Sequence, residues 1–352
     1  MTRPPTLSAA VIGCGAIAYE HLPCIANSAR ARLAAVCDQS AALAGAAAER
    51  FGAEATFVEA AAMLEAVKPD VVHVLTPPHT HDPIVRAALA AGAHVICEKP
   101  MTGSEQESAS LLDAAAAAGR VLQESRNLLF NDPVIALQDL IAGGRLGRVV
   151  ECEVLLSLDF LGGPFGDLNL AGPAVRLPGG AAHDFIPHLA YLFLALAKAT
   201  RIDSVAGLFA NRSGNRRVGF DFLDALVEAE GVRGRLRIAT DTAPAAFRVI
   251  ARGTEATAET DLYNPFMRIE GAPNTGKRAP FGQMAEGLGM IRAGVVGLRN
   301  KIMQHGTMHG LPRMIDAIYR AIGQGTPPPF SRDDMLATAR LTDRLVALGS
   351  SK

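Results

Sequence analysis

The chain has 352 residues, 49% of them hydrophobic and 20% charged, which fits a folded protein of about two domains and excludes a disordered chain. Lys plus Arg number 34 against 35 Asp plus Glu, a net charge of -1, so neither nucleic acid nor a membrane surface is an expected partner. No apolar run reaches the roughly 20 residues that span a bilayer.

The first third alternates short apolar runs with helical patterns. Ser8–Ile12, Leu33–Cys37, Val71–Leu75, His94–Cys97 and Arg120–Gln123 read as strands, and Ala41–Phe51, Ile84–Ala91 and Glu105–Ala118 as helices. Arg3 ahead of the first run imitates a signal peptide, but that run enters Gly13 and Gly15 with no cleavage-like end, so a buried strand is expected. Alternation of this kind predicts β-α-β units and a doubly wound parallel sheet, whose strands end on one ligand-binding edge. Near residue 129 the pattern changes. A helix over Pro133–Ala142 stops at Gly143-Gly144, and longer strands follow at Arg148–Leu158, Ser204–Ala210, Val218–Glu230, Val232–Ala239 and Phe247–Ala251. Tight turns such as Arg212–Asn215 and Glu230–Gly234 predict a mostly antiparallel sheet. Helices are expected again at His183–Ala197, His309–Ile322 and Arg332–Leu348, and long loops at Gly162–Gly180 and Ala272–Phe281. The expected division is an N-terminal dinucleotide-binding domain, 1–128, and an α/β domain with a large open sheet, 129–352.

The five cysteines, Cys14, Cys24, Cys37, Cys97 and Cys152, match no zinc-type spacing, so reduced thiols, a cytoplasmic location and no metal are expected. Chemistry is carried by the strand ends. Gly13-Cys14-Gly15-Ala16-Ile17-Ala18 follows the first strand and opens a helix: one glycine makes the turn, the next admits a pyrophosphate, and the small Ala18 lets helix and strand pack closely. Asp38 ends the next strand, 20 positions after Ala18, where an acid bonds the ribose hydroxyls or caps the following helix. No cation follows it, so NAD is expected over NADP. Two more strands run into Thr76-Pro77-Pro78-His79-Thr80-His81 and Glu98-Lys99-Pro100. Lys99 is one of six lysines in a chain that favours Arg, and a lysine can give up a proton near neutrality where arginine cannot.

Read together, these motifs resemble the Gfo/Idh/MocA oxidoreductase family. Gly144-Arg145-Leu146-Gly147 resembles that family's entry into its second domain, and Gly179 to His188 resembles its Gly-Gly-x-x-x-Asp-x-Gly-x-His segment. The resemblance implies an NAD-dependent dehydrogenase or reductase of a sugar, cyclitol or similar polyhydroxylated alcohol, assembled as a homodimer or homotetramer. It implies Lys99 as acid/base, His188 as a second proton-handling or positioning group, and Asp184 on the same helix face. Gly13, Gly15, Ala16, Ile17, Asp38, Thr76, Pro77, His81, Glu98 and Lys99 would hold the cofactor, and Lys99, Asn127, Asp184 and His188 the substrate. Two departures stand out: Ile186-Pro187 replaces the glycine before His188, and Leu128-Leu129-Phe130 stands where many members carry Arg-Phe. The alternatives are a non-catalytic NAD-binding regulator and an oxidoreductase that recycles a tightly bound NAD. His79 and His81 also read as first-turn residues of the next helix, His183 as a core histidine and Cys97 as a buried strand residue.

Overall fold

The structure is a computed structural model describing residues 6–159, 177, 179–212, 214, 219–271, positions 280, 281, 284, 287–292, 294, 295 and 298, and 310–350. The turn at 212–215 and the loops at 162–180 and 272–281 lie partly or wholly outside these residues. The chain divides into two compact units, Met1–Asn127 with Gly310–Ala339, and Leu128–His309 with Arg340–Lys352.

In the first unit, strands β1 (Leu7–Ile12), β2 (Ala31–Cys37), β3 (Ala55–Phe57), β4 (Val71–Val74), β5 (His94–Cys97) and β6 (Leu122–Glu124) form one sheet in the order β3-β2-β1-β4-β5-β6. Every pair is parallel. This is the expected doubly wound sheet, with its switch in strand order between β1 and β4, where such folds bind ligands. The central strands are buried on both faces, as Val11, Val72, Val95 and Ile96 show. Helix ends follow from local chemistry. Ser40 caps Ala41–Phe51 by accepting the Leu43 N–H at 3.3 Å, and left-handed Gly52 ends that helix. Ser104 accepts from the Glu107 N–H at the start of Glu105–Ala117. Glu107 in turn accepts from the Gly103 N–H at 3.0 Å, a reciprocal cap. The helix Leu311–Gln324 returns to this unit and buries Leu311, Met314, Ile315, Ile318 and Tyr319.

In the second unit, β7 (Val149–Asp159), β8 (Ser204–Ala210), β9 (Phe222–Ala229), β10 (Val232–Ala239), β11 (Asp241–Gly253), β12 (Thr257–Asp261) and β13 (Arg268–Glu270) pair in the order β13-β12-β11-β7-β10-β9-β8. All pairs are antiparallel except β10 with β7. The apolar helix Ile186–Ala197 packs on β7 and β10. A side chain at Gly234 would meet the Phe193 ring at 2.6 Å, so the glycine makes room for that ring. The other face of the sheet is a charge ladder: Arg235 pairs with Asp224 at 2.8 Å, and Arg252 with Glu151 at 3.0 Å.

Candidate functional site

The glycine loop is set by contacts that only its own residues allow. Gly13 has φ +97°, and a Cβ there would lie 2.8 Å from the Leu75 carbonyl carbon, so any side chain would collide with the end of β4. Its N–H donates to the Cys37 carbonyl at 2.8 Å. Gly15 differs: a Cβ there would meet nothing within 4 Å. Its freedom from packing leaves backbone open to an approaching group, next to exposed Ala16 and half-buried Ile17. Ala18 is fully buried, as close helix–strand packing requires.

Asp38 joins this loop to the end of β2. Its Oδ2 accepts the Cys14 N–H at 2.8 Å and its Oδ1 the Ser40 N–H at 2.9 Å. The helix cap is therefore Ser40 rather than Asp38, and the aspartate instead orients the loop beside Gly15. A diphosphate at the open side of Gly15 and a ribose at Asp38 fit these residues, because the loop presents room and the acid is fixed on the same edge.

The ends of β4 and β5 complete that edge. Thr76 accepts from the Thr80 hydroxyl at 2.7 Å, while Pro77 is exposed. His81 is fully buried. Its Nε2 lies 2.8 Å from the Thr76 carbonyl and its Nδ1 3.1 Å from the Pro100 carbonyl, so the ring sits between the two strand-end loops and its single N–H donates to one of them. Burial pushes its pKa down, against the pull of those carbonyls and of Glu98. Lys99 is half-buried, and its N–H donates to Glu98 Oε2 at 3.2 Å.

Glu98 opens onto a buried network that sequence reasoning missed. Its Oε1 lies 3.0 Å from His21 Nε2, His21 Nδ1 lies 3.0 Å from His73 Nδ1, and His73 Nε2 lies 2.7 Å from the Tyr319 hydroxyl. Burial raises the Glu98 pKa, but the bond from His21, the charge of Lys99 and a bond from Ser125 hold it at about 2. Nearby, the Glu124 carboxylate accepts from the Met101 N–H at 3.0 Å and from Arg126 Nε at 3.1 Å. Asn127 is 4% exposed, and its Nδ2 donor has no hydrogen-bond partner among the described residues.

The second unit carries the other candidates. The helix expected over His183–Ala197 is two pieces, Gly180–His183 and Ile186–Ala197. Pro187 sits in the first turn of the second piece, where its missing N–H costs nothing but a continuous helix could not pass. Asp184 consequently lies in the turn before that helix and does not share a helix face with His188. The His188 Nδ1 lies 2.6 Å from the Tyr191 hydroxyl. His183 is buried and accepts the Gly179 N–H at 3.3 Å, the core role its position suggested.

The five cysteines are unpaired with one another. Burial pushes the Cys14 and Cys152 thiols up to about 12 and those of Cys24 and Cys37 to about 11, so none is a nucleophilic thiolate near neutral pH.

Residues 7–125 match the family model described as an oxidoreductase family with an NAD-binding Rossmann fold, GFO_IDH_MocA. The chain is 35% identical over 150 residues to the D-glucoside 3-dehydrogenase of Escherichia coli K12, covering 42% of each chain. It is 39% identical over 141 residues to the dTDP-3,4-didehydro-2,6-dideoxy-alpha-D-glucose 3-reductase of Streptomyces violaceoruber, covering 40% of this chain and 41% of the other. The match thus spans about two-fifths of these relatives' length. The NAD-binding oxidoreductase of Klebsiella pneumoniae shares the fold, with a TM-score of 0.80, 21% identity and coverage of 98% of this chain and 97% of the other. Residues 7–125, about a third of the chain, are thus similar to the NAD-binding Rossmann fold of the Gfo/Idh/MocA oxidoreductase family.

Proposed function

We propose that the chain is an NAD-dependent oxidoreductase that moves a hydride between the nicotinamide and a secondary alcohol or ketone of a sugar, cyclitol or similar polyhydroxylated compound. The observation that carries this reading is the Asp38 carboxylate, fastened to the Cys14 N–H beside the open side of Gly15, in the sheet whose β5 ends at Lys99. The names of the two relatives above, both specifying the 3-position of a sugar, favour that substrate class.

Bound NAD would supply the hydride acceptor. Gly15, Ala16 and Ile17 would face its diphosphate, Asp38 its ribose, and Thr76, Pro77 and Glu98 its nicotinamide half. Lys99 would take the carbinol proton as the hydride leaves and return it in the reverse reaction. The Asn127 Nδ2 would donate to a substrate hydroxyl, and Asp184 and His188 would be further substrate-binding residues. His81, packed between the backbone carbonyls of Thr76, Pro100 and Met101, would help hold the loops that frame the nicotinamide.

Self-association belongs to the same reading. Phe281, Met284, Leu288, Ile291, Val295 and Leu298 recur at intervals of three and four positions, and each is helical and 62–70% exposed. That spacing is the seam of paired helices. The occupant proposed for this seam is a second copy of the chain. The functional reading is tested by absorbance at the reduced-nicotinamide band while sugars, sugar acids and inositols are screened with NAD. Reduction of NAD by at least one of them supports it. Tight NAD binding with no reduction by any overturns it.

A further inference from the structure

Four buried side chains from four separate elements meet in one line: Tyr319 from the helix Leu311–Gln324, His73 from β4, His21 from the helix Ala18–Ala26, and Glu98 from the end of β5. Their exposures are 1%, 0%, 0% and 8%, so water cannot repair a missing bond. The contact between two Nδ1 atoms decides how the protons lie, because one of them must donate and the other accept. Burial and the neighbouring His21 push the His73 pKa well down, so this ring carries one proton and makes one donation. If His73 donated through Nε2, its Nδ1 would accept from His21 and the phenol would lose His73 as its acceptor. With the proton on Nδ1 every contact is satisfied: Tyr319 O–H donates to His73 Nε2, His73 Nδ1–H donates to His21 Nδ1, and His21 Nε2–H donates to Glu98 Oε1.

We infer that Tyr319, His73 and His21 are positioning residues, a one-way hydrogen-bond chain whose donors all point at the Glu98 carboxylate and fix it against the Lys99 main chain. The inference rests on the proposed acid/base role of Lys99 for its kinetic consequence, though not for its geometry. The chain ends in a fully buried phenol whose pKa burial raises well above the ordinary value, so it holds Glu98 rather than conducting protons to solvent. The groups facing it are few. Lys99, His81 and Cys97 act on Glu98, and Cys24 faces Tyr319. Both thiols are pushed up by burial and stay neutral, so among the described residues the charges near the carboxylate are those of Lys99, the histidines and Glu124, which also acts on Cys97.

Tyr319→Phe removes one hydroxyl at the far end and keeps the ring. It leaves His73 Nε2 without its donor, frees the His73 tautomer to turn over, and loosens the anion beside Lys99. In the holoenzyme, the expected result is a fall of about 5–20-fold in kcat, with the limb of the pH profile belonging to the acid/base group displaced by at least about half a unit. Affinity for NAD should stay within about twofold. A structural role alone would lower Tm and leave the pH profile in place, and that outcome overturns the inference. A second measurement needs no substrate. Nitrogen NMR of histidine-labelled wild-type protein should show His73 protonated on Nδ1 and unprotonated on Nε2, and His21 protonated on Nε2. The opposite His73 tautomer overturns the inference even if the proposed enzymatic activity stands. The expected tautomers support it even if no alcohol reduces NAD.

Discussion

Asp38→Ala separates the two jobs the carboxylate can do. In the structure it accepts two backbone N–H bonds, from Cys14 at 2.8 Å and Ser40 at 2.9 Å. Bonds to a charged group contribute about 1.5–3 kcal/mol each where they are desolvated. Asp38 is half-buried, so solvent screening reduces each to about 1 kcal/mol, and the loss of both should cost about 2 kcal/mol of stability. If the same carboxylate also holds the adenine ribose, its two hydroxyl bonds add a similar loss in the bound state only, about 10–100-fold in Kd. The chain has no tryptophan, so binding is best read from NADH and NADPH fluorescence. The wild type should bind NADH more tightly than NADPH. Asp38→Ala should lose that preference mostly through weaker NADH binding, since the acid that repelled a 2′-phosphate has gone. Asp38→Asn keeps one oxygen acceptor for Cys14 and should be less unstable while still losing discrimination. If Asp38→Ala lowers Tm but leaves the NADH Kd within about twofold, the aspartate only ties the loop and the ribose role is wrong.

The remaining predictions concern the loop, acid stability and assembly. Gly13→Ala should lose at least about 2 kcal/mol or fail to fold, since its Cβ would strike Leu75 at positive φ. Gly15→Ala should melt near the wild type yet bind NADH less well, and equal binding would remove the diphosphate from that position. His73 and His81 are held below the ordinary histidine range by burial. The unfolded chain therefore binds more protons below about pH 6.5, and each histidine removes up to about 1.4 kcal/mol of stability per pH unit as pH falls. Glu98, lowered from 4.5 to about 2, adds stability that is full above about pH 4.5 and lost as pH falls toward 2. Melting temperature should thus decline from pH 7 to 5 and faster below 4.5, whereas a flat profile from 7 to 5 would contradict the neutral buried histidines. Leu288→Glu with Ile291→Glu should shift sedimentation from oligomer toward monomer, and a wild-type monomer at micromolar concentration would refute the assembly.

Much of the first unit was legible because its signals are local. Ala41–Phe51 and His94–Cys97 match the observed elements end to end, since Ser40 and Gly52 bound the helix and an unbroken apolar run marks a strand buried on both faces. The short β3 and the helix Ala60–Val67 went unread, because three residues and an alanine-rich octet carry little period. In the second unit β8 and β10 were read end to end, but turn lengths cannot reveal that β10 lies parallel to β7. Asp184 falls in a turn because a spacing of four puts residues on one face only inside a continuous helix, and Pro187 marks a fresh helix start. The His21–His73–Tyr319 line had no signal at all: its members are 52 and 246 positions apart and meet only because the helix Leu311–Gln324 belongs to the first unit.

The central claim is that Lys99 exchanges the substrate's carbinol proton beside a bound NAD. Its most direct test compares NADH formation by the wild type and Lys99→Ala on the alcohol identified by the screen, with NADH affinity measured on the same samples. Turnover by Lys99→Ala should fall about 10²–10⁴-fold with affinity for NADH nearly intact, and Lys99→Arg should restore little because guanidinium keeps its proton. Full activity in Lys99→Ala would contradict the account and move the acid/base role to His188.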